Sequence, residues 1–170
     1  MMVVREPGYS WLVIATRPRS EKKVAMCLQR LGIDYYLPVQ RQLHQWKDRK
    51  KWVDVVLFPS YVFVYLDKAN RNAVFEVEGV LRFVSFQGRP AVVSQSDLQR
   101  ISLLCSGPEV PEICREVLLS GDRVEVVGGA LCGLQGVLTE NLNESRLNVS
   151  ISGLGCHLSV IIDRKLVRKL

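Results

Sequence analysis

At 170 residues the chain has room for one domain of ordinary size or two small ones. Apolar residues make up 48% and charged residues 24%, which excludes a disordered chain, and no apolar run approaches the ~20 residues of a membrane-spanning helix. The net charge of +6 is unevenly placed: residues 1–100 carry 16 Lys and Arg against 9 Asp and Glu, residues 101–170 only 7 against 8. The first part is therefore suited to an anionic partner and the last part is not.

Glu6, Pro7 and Gly8 interrupt the start of the chain, nothing there reads as a secretory signal, and a cytoplasmic protein without membrane contact is expected. Residues 10–16 form an apolar run long enough for a buried strand. Ser20 then has the chemistry of a helix N-cap, and Glu21 places a negative charge at the positive end of the helix dipole. Val24, Cys27, Leu28 and Leu31 recur at helical spacing before Gly32, where a helix usually stops.

Residues 33–66 read as two long strands separated by a basic stretch. The first is 33–37, with Pro38 marking an edge or bend. Residues 41–51 hold Arg41, Lys47, Arg49, Lys50 and Lys51 against Asp48 alone. The second strand, around 60–66, carries Tyr61, Phe63 and Tyr65 on one face and Val62, Val64 and Leu66 on the other. Neither face is polar, so both need cover. Residues 70–77 predict a short helix ended by Gly79, and 80–86 with 91–93 predict a strand pair around the turn Gln87-Gly88-Arg89-Pro90. Ser94 caps a second helix with Leu98, Ile101 and Leu104 on one face. The order β-α-β-β-α-β-α describes an α/β (α+β) sandwich over residues 1–106.

Residues 105–117 lose periodicity and contain Gly107, Pro108 and Pro111, so 107–117 reads as a linker. Beyond it, 123–127, 136–140, 146–151, 158–162 and 166–168 are short strands with tight turns, the pattern of a small all-β barrel over 118–170. Cys27, Cys105, Cys114, Cys132 and Cys156 are scattered with no C-x-x-C pair, which points to free thiols in a reducing compartment. Only His44 and His157 are present, and there is no Walker loop and no G-x-S-x-G. The sequence indicates no metal, no cofactor and no enzymatic chemistry.

Two patterns go further. Gly121-Asp122-Arg-Val124-Glu-Val126-Val-Gly-Gly129, leading through Gly133 to Gly136-Val137, alternates as a strand and then supplies glycines for a turn and a close approach. It resembles the KOW motif, the β–loop–β core of an SH3-like barrel found in transcription factors and ribosomal proteins. A generic glycine-rich hairpin is the alternative. Trp11-Leu-Val-Ile, Arg17-Pro-Arg-Ser-Glu21-Lys-Lys, Leu57-Phe58-Pro59-Ser60-Tyr61-Val62-Phe63-Val64, Gly79-Val80 and Phe83-Val-Ser-Phe86 resemble the NusG N-terminal domain. With the KOW-like stretch, the resemblance covers nearly the whole chain. Tyr35-Tyr-Leu-Pro-Val, the basic segment between Trp46 and Trp52, and the overall length resemble the UpxY-type branch of the family, relatives of RfaH that act as antiterminators in capsular polysaccharide operons. Ser60 stands where the family motif usually has Gly or Asn.

The resemblance implies a NusG-type sandwich followed by a KOW barrel, and a transcription elongation or antitermination factor that binds RNA polymerase and reduces pausing or termination. A housekeeping NusG-type factor and a KOW-containing ribosome-associated RNA-binding protein are the alternatives. The family docks an apolar patch on the clamp helices of the largest polymerase subunit, and the matching positions are Tyr61, Phe63, Phe86 and Leu98, although an aromatic stripe is more often core. Arg17 and Lys23 match positions that touch the non-template DNA strand, and the arginine that RfaH-like members carry just before the Gly79 turn is Glu78 here. The basic run with Lys47, Arg49, Lys50 and Lys51 suits upstream DNA or nascent RNA, with Trp46 or Trp52 for stacking, and a solvated charged loop is its alternative. For the KOW domain the implied partner is a small-subunit ribosomal protein or the termination factor Rho.

Overall fold

A computed structural model describes residues 8–45, 49–67, 69–115, 121–141 and 144–170. In chain order its elements are β1 (Tyr9–Thr16), α1 (Glu21–Arg30), β2 (Tyr35–Tyr36), β3 (Val39–Gln45), β4 (Lys50–Val56), β5 (Tyr61–Asp67), a 3-10 turn (Arg71–Glu76), β6 (Val80–Phe83), β7 (Ser85–Phe86), β8 (Arg89–Pro90), β9 (Val92–Val93) and α2 (Gln95–Cys105). There follow β10 (Glu112–Cys114), β11 (Asp122–Val126), β12 (Gln135–Asn141), β13 (Glu144–Ile151), a 3-10 turn (Ser152–Leu154), β14 (Cys156–Ile161), a 3-10 turn (Arg164–Leu166) and β15 (Val167–Lys169). The chain divides into two compact units, residues 1–37 with 58–95, and residues 38–57 with 96–170.

In the first unit β1 is the centre of an antiparallel sheet of order β2-β5-β1-β6, with β9 also paired to β1. The register Leu12↔Val64 and Ile14↔Val62 sets one apolar face, and Trp11↔Tyr65, Val13↔Phe63 and Ala15↔Tyr61 set the other. The aliphatic face packs with Val24 and Leu28 of α1 and with Val74 and Val77 into one buried cluster. The segment read as a helix over 70–77 is instead a single 3-10 stretch. Val74 within it and Val77, the extended residue that ends it, are both buried in the cluster under the sheet.

The expected strand over 80–86 is split at Val84, whose N–H donates to the Val13 carbonyl and whose carbonyl accepts from Ala91. β7 and β8 close a tight hairpin at Gln87 and Gly88, both with positive φ (+51° and +75°), the geometry that two-residue hairpin turns require.

In the second unit the stretch between the two expected long strands is itself a hairpin. β3 and β4 pair antiparallel from Val39↔Val56 to Gln45↔Lys50. The C-terminal strands form an antiparallel sheet of order β10-β14-β13-β12-β11-β15 and agree closely with the five read from sequence. Its interior is Val124, Val126, Leu147, Val149, Ile151, Leu158 and Val160. Asn148, buried on the opposite face of β13, donates from Nδ2 to the Val137 carbonyl, Thr139 Oγ1 and the Arg146 carbonyl. Gly129 and Gly133 take positive φ (+78° and +84°) in the turn before β12. Gly136 serves close approach: a Cβ there would lie 2.6 Å from the Asn148 carbonyl oxygen. Gly136→Ala is therefore expected to cost about 1–3 kcal/mol, seen as a lower urea midpoint in circular dichroism. An unchanged midpoint would mean that β12 and β13 separate freely at this point.

The segment read as a linker is tied down within this unit. Gln40, buried on β3, donates from Nε2 to the carbonyls of Gly107 (2.5 Å) and Glu109 (2.9 Å). β10 pairs with β14, and Glu112 reaches Arg146 at 2.7 Å. Residues 116–120, where the linker would end and the barrel begin, lie outside the described residues.

Candidate nucleic-acid and partner interface

The end of β1 is where local conformation sets up a charged surface. Ser60 adopts φ +64°, its N–H donates to Glu21 Oε1 at 2.6 Å, and its carbonyl accepts from Thr16 N–H at 2.8 Å. Glu21 is buried, so its carboxylate serves the turn as well as the helix dipole; Ser20 sits at the N-cap without a side-chain cap bond. The Gly or Asn usual in the family at position 60 now has a physical reason, since both tolerate the left-handed region better than Ser. Ser60→Gly is expected to stabilise the chain by about 0.5–1 kcal/mol, read as a rise in Tm. A fall in Tm would show that the serine hydroxyl contributes more than the strain it carries.

Arg17 N–H donates to the Gly79 carbonyl at 2.8 Å, which fixes the turn before β6 beside the start of α1. Arg17 and Lys23 are exposed there. Lys23 Nζ lies 2.9 Å from Glu78 Oε2. That hydrogen bond, and then its charge attraction, raises the Lys23 amine and lowers the Glu78 carboxyl, and Arg17 is near enough to lower both. The three side chains share one electrostatic neighbourhood, in which Glu78 occupies a cation otherwise free for phosphate. Exposed pairs of this kind are weak, so a strand of nucleic acid can displace Glu78. Glu78→Gln is expected to raise affinity for single-stranded DNA about two- to fivefold at low salt, measured by fluorescence anisotropy. No change would mean that Lys23 does not meet the strand.

The four positions aligned with the docking patch do not form one exposed surface. Phe63 is fully buried (0% exposed), flanked by the rings of Phe58 at 5.7 Å and Tyr36 at 6.1 Å. Leu98, on α2, is also buried. Tyr61 is half-buried, and Phe86, in the β7–β8 hairpin, is 39% exposed. The aromatic face continues through Tyr65, whose ring lies 5.2 Å from Trp11 and 5.3 Å from Tyr9. Trp11 Nε1 donates to Gln95 Oε1 at 3.1 Å. The expected demand for cover on this face is met at Phe63, and solvent is reached at its ends.

The basic run is placed on a scaffold that the sequence reading missed. Arg49, Lys50 and Lys51 are exposed at the end of the β3–β4 hairpin, while Lys47 and Trp46 lie outside the described residues. One face of the hairpin carries Arg41, Leu43 and Gln45 opposite Asp54, Trp52 and Lys50. Trp52 is 54% exposed and Leu43 48%, and the Arg41 guanidinium lies 5.5 Å from the Trp52 ring centre. The alternation of Arg41 and Leu43 against Trp52 and Asp54 was the signal, hidden by the density of charge. Cations of the C-terminal sheet behave differently: Arg146, Arg164, Arg168 and Lys169 pair with Glu112, Glu140, Glu125 and Asp122 within 2.7–2.9 Å. Arg41, Arg49, Lys50 and Lys51 group on the hairpin, and Arg17 and Lys23 at the end of β1.

Among the described residues no group of three or more His, Cys, Asp and Glu is arranged to hold a metal ion, and no helix is long and apolar enough to cross a membrane. The five cysteines are free; burial pushes the Cys105 and Cys156 thiols up to about 11, which makes them poor nucleophiles at neutral pH.

Comparison with known proteins places these features in a family context. The family model described as transcription termination factor NusG matches residues 9–102. The transcription termination/antitermination protein NusG of Deinococcus radiodurans is 31% identical over 129 residues, covering 66% of this chain and 68% of the relative. The protein of the same name from Lactococcus lactis subsp. lactis is 28% identical over 167 residues, covering 90% and 89%. A solved structure concerned with domain interaction in Thermotoga maritima NusG superposes with a TM-score of 0.55 at 26% identity, covering 95% of this chain and 97% of that one.

Proposed function

This chain belongs to the NusG family, and from that premise we propose that it is a transcription elongation factor that binds RNA polymerase and suppresses pausing or termination. The observation that carries the reading is the pairing of an N-terminal α/β unit with two separate sets of exposed cations. One set, Arg17 and Lys23, stands at the end of β1, and the other, Arg49, Lys50 and Lys51, at the end of the hairpin. In this reading the clamp helices of the largest polymerase subunit meet the solvent-reaching aromatics Tyr61 and Phe86, while Phe63 and Leu98 are buried and serve the interior. Arg17 and Lys23 hold the non-template DNA strand, and Lys47, Arg49, Lys50 and Lys51 meet upstream DNA or the emerging RNA.

The mechanism is energetic bias. Weak phosphate contacts, each insufficient alone, become effectively intramolecular once the protein is docked on polymerase. They then favour the closed clamp against the paused state. The C-terminal sheet is a KOW barrel in this reading, following the N-terminal domain through 107–117, and it recruits a second partner such as a small-subunit ribosomal protein or Rho. Tyr35-Tyr36-Leu37-Pro38-Val39 and the basic hairpin favour the specialised UpxY-type branch, with polysaccharide operons as the target class, over a housekeeping factor.

The test is co-purification with core polymerase followed by read-through of a terminator placed behind candidate leaders. Binding to core polymerase with read-through on only some leaders supports the specialised role. Read-through on every leader supports the housekeeping one. Capture of ribosomal subunits in place of polymerase would overturn both.

A further inference from the structure

We propose that the β3–β4 hairpin binds an unpaired strand of nucleic acid by stacking a base on Trp52, with Arg41 backing the indole and Arg49, Lys50 and Lys51 holding the phosphates. The inference rests on reading the basic segment as a nucleic-acid contact and names the form of that contact.

Trp52 and Leu43 are register partners on one face of a two-stranded hairpin, and each is about half exposed. Together they place an indole beside a leucine in an apolar patch bordered by Arg41 and Lys50, and it is such a contiguous patch with a charged rim, not a single exposed apolar side chain, that marks a binding surface. Arg41 covers part of the indole and leaves ring area for a second planar group. A cation on one side of a ring and a base on the other is a stable stack, since the ring's negative face is attracted to the guanidinium. Gln45↔Lys50 continues the same face toward the tip, where Arg49 follows, and Lys51, the register partner of His44, adds its charge from the other face.

Charge complementarity selects the occupant. Among the described residues of the hairpin, Arg41, Arg49, Lys50 and Lys51 face only Asp54 as an acid. A backbone with one charge per nucleotide and a flat base beside each phosphate matches cations that flank a ring. A duplex presents the same phosphates with its bases stacked away, so it meets the cations and misses the indole. An acidic protein surface offers charge without a planar partner. Stacking is indifferent to sequence and to the sugar, so both single-stranded RNA and DNA carry the required chemistry.

The full chain is tested with fluorescent oligouridylate, oligothymidylate, a DNA duplex of the same length, and polyglutamate. Trp52→Ala is expected to weaken single strands roughly five- to hundredfold, the range of one stacked base, and to leave duplex affinity unchanged. Trp52→Phe should keep most of the affinity, and Arg41→Gln should lose part of it. The two oligonucleotides show whether the sugar matters.

Equal loss of single-strand and duplex affinity in Trp52→Ala would overturn the stacking claim, as would no loss at all. Polyglutamate binding that depends equally on Trp52 would reassign the face to an acidic protein. If Trp52→Ala lowers the melting temperature, Trp52→Phe against Trp52→Leu replaces it, because both fill the site and only one stacks. Core-polymerase capture by the same variants keeps the two readings apart. Capture without Trp52-dependent strand binding sinks only this inference, and strand binding without capture sinks only the polymerase reading.

Discussion

Phe63→Ala is expected to destabilise the protein by about 3–5 kcal/mol, enough to unfold a domain of ordinary stability, whereas Tyr61→Ala and Phe86→Ala leave it folded. Phe63 lies inside the longest strand pairing of the sheet, opposite Val13, with no exposure and with Phe58 packed edge-on against its ring. Removing it deletes a large apolar surface from water-free surroundings and leaves a cavity that rigid β1 and β5 cannot close. Tyr61 and Phe86 retain contact with solvent, so truncation there removes little internal packing. If these two are anchors on the polymerase clamp, each should cost ~2 kcal/mol of binding, about thirtyfold in affinity, at unchanged melting temperature. The measurement is a pairing of thermal unfolding with titration of core polymerase for all three variants. A Phe63→Ala protein that melts normally but binds polymerase weakly would show that this ring becomes accessible in solution. Unchanged binding by both Tyr61→Ala and Phe86→Ala would move the clamp contact elsewhere.

The parts of this fold that were legible in the sequence are those with one dominant local cause. β1 and α1 follow from an uninterrupted apolar run, an acidic first turn and helical spacing that ends at Gly32. The C-terminal strands follow from β-branched alternation and from glycines whose conformations leave few options. What was not legible depends on partners distant in the chain. Ser60 is held by Glu21, and the Gly107 and Glu109 carbonyls by Gln40, contacts that no window of sequence reveals. The hairpin of β3 and β4 was hidden because charge density suggests a loop, although its alternation is that of a strand. For the site, sequence located the cations and the aromatics but could not say which were spoken for. Phe63 has its cover and Lys23 its acid, while Trp52 and the hairpin cations remain exposed.

Reversing Arg49, Lys50 and Lys51 together to Glu should give the largest functional loss of any surface change. Each phosphate contact on a single strand contributes ~0.7 to the slope of log affinity against log salt, so losing three should lower that slope by about 2. Measured at low salt, affinity for a single strand should therefore fall by more than tenfold, and by progressively less as salt rises. Binding to core polymerase should hold, because these side chains lie on the hairpin and not on the aromatic strand β5. Read-through should nevertheless collapse, since on the docked protein the hairpin contacts act at high effective concentration and their loss is not recovered by adding more factor. Arg17→Ala provides the contrast: it removes one cation at the end of β1 and should act only where the non-template strand is exposed at a pause. A triple variant with normal read-through beside a defective Arg17→Ala would place all productive nucleic-acid contact at the end of β1. The hairpin would then be a charged extension that transcription does not use.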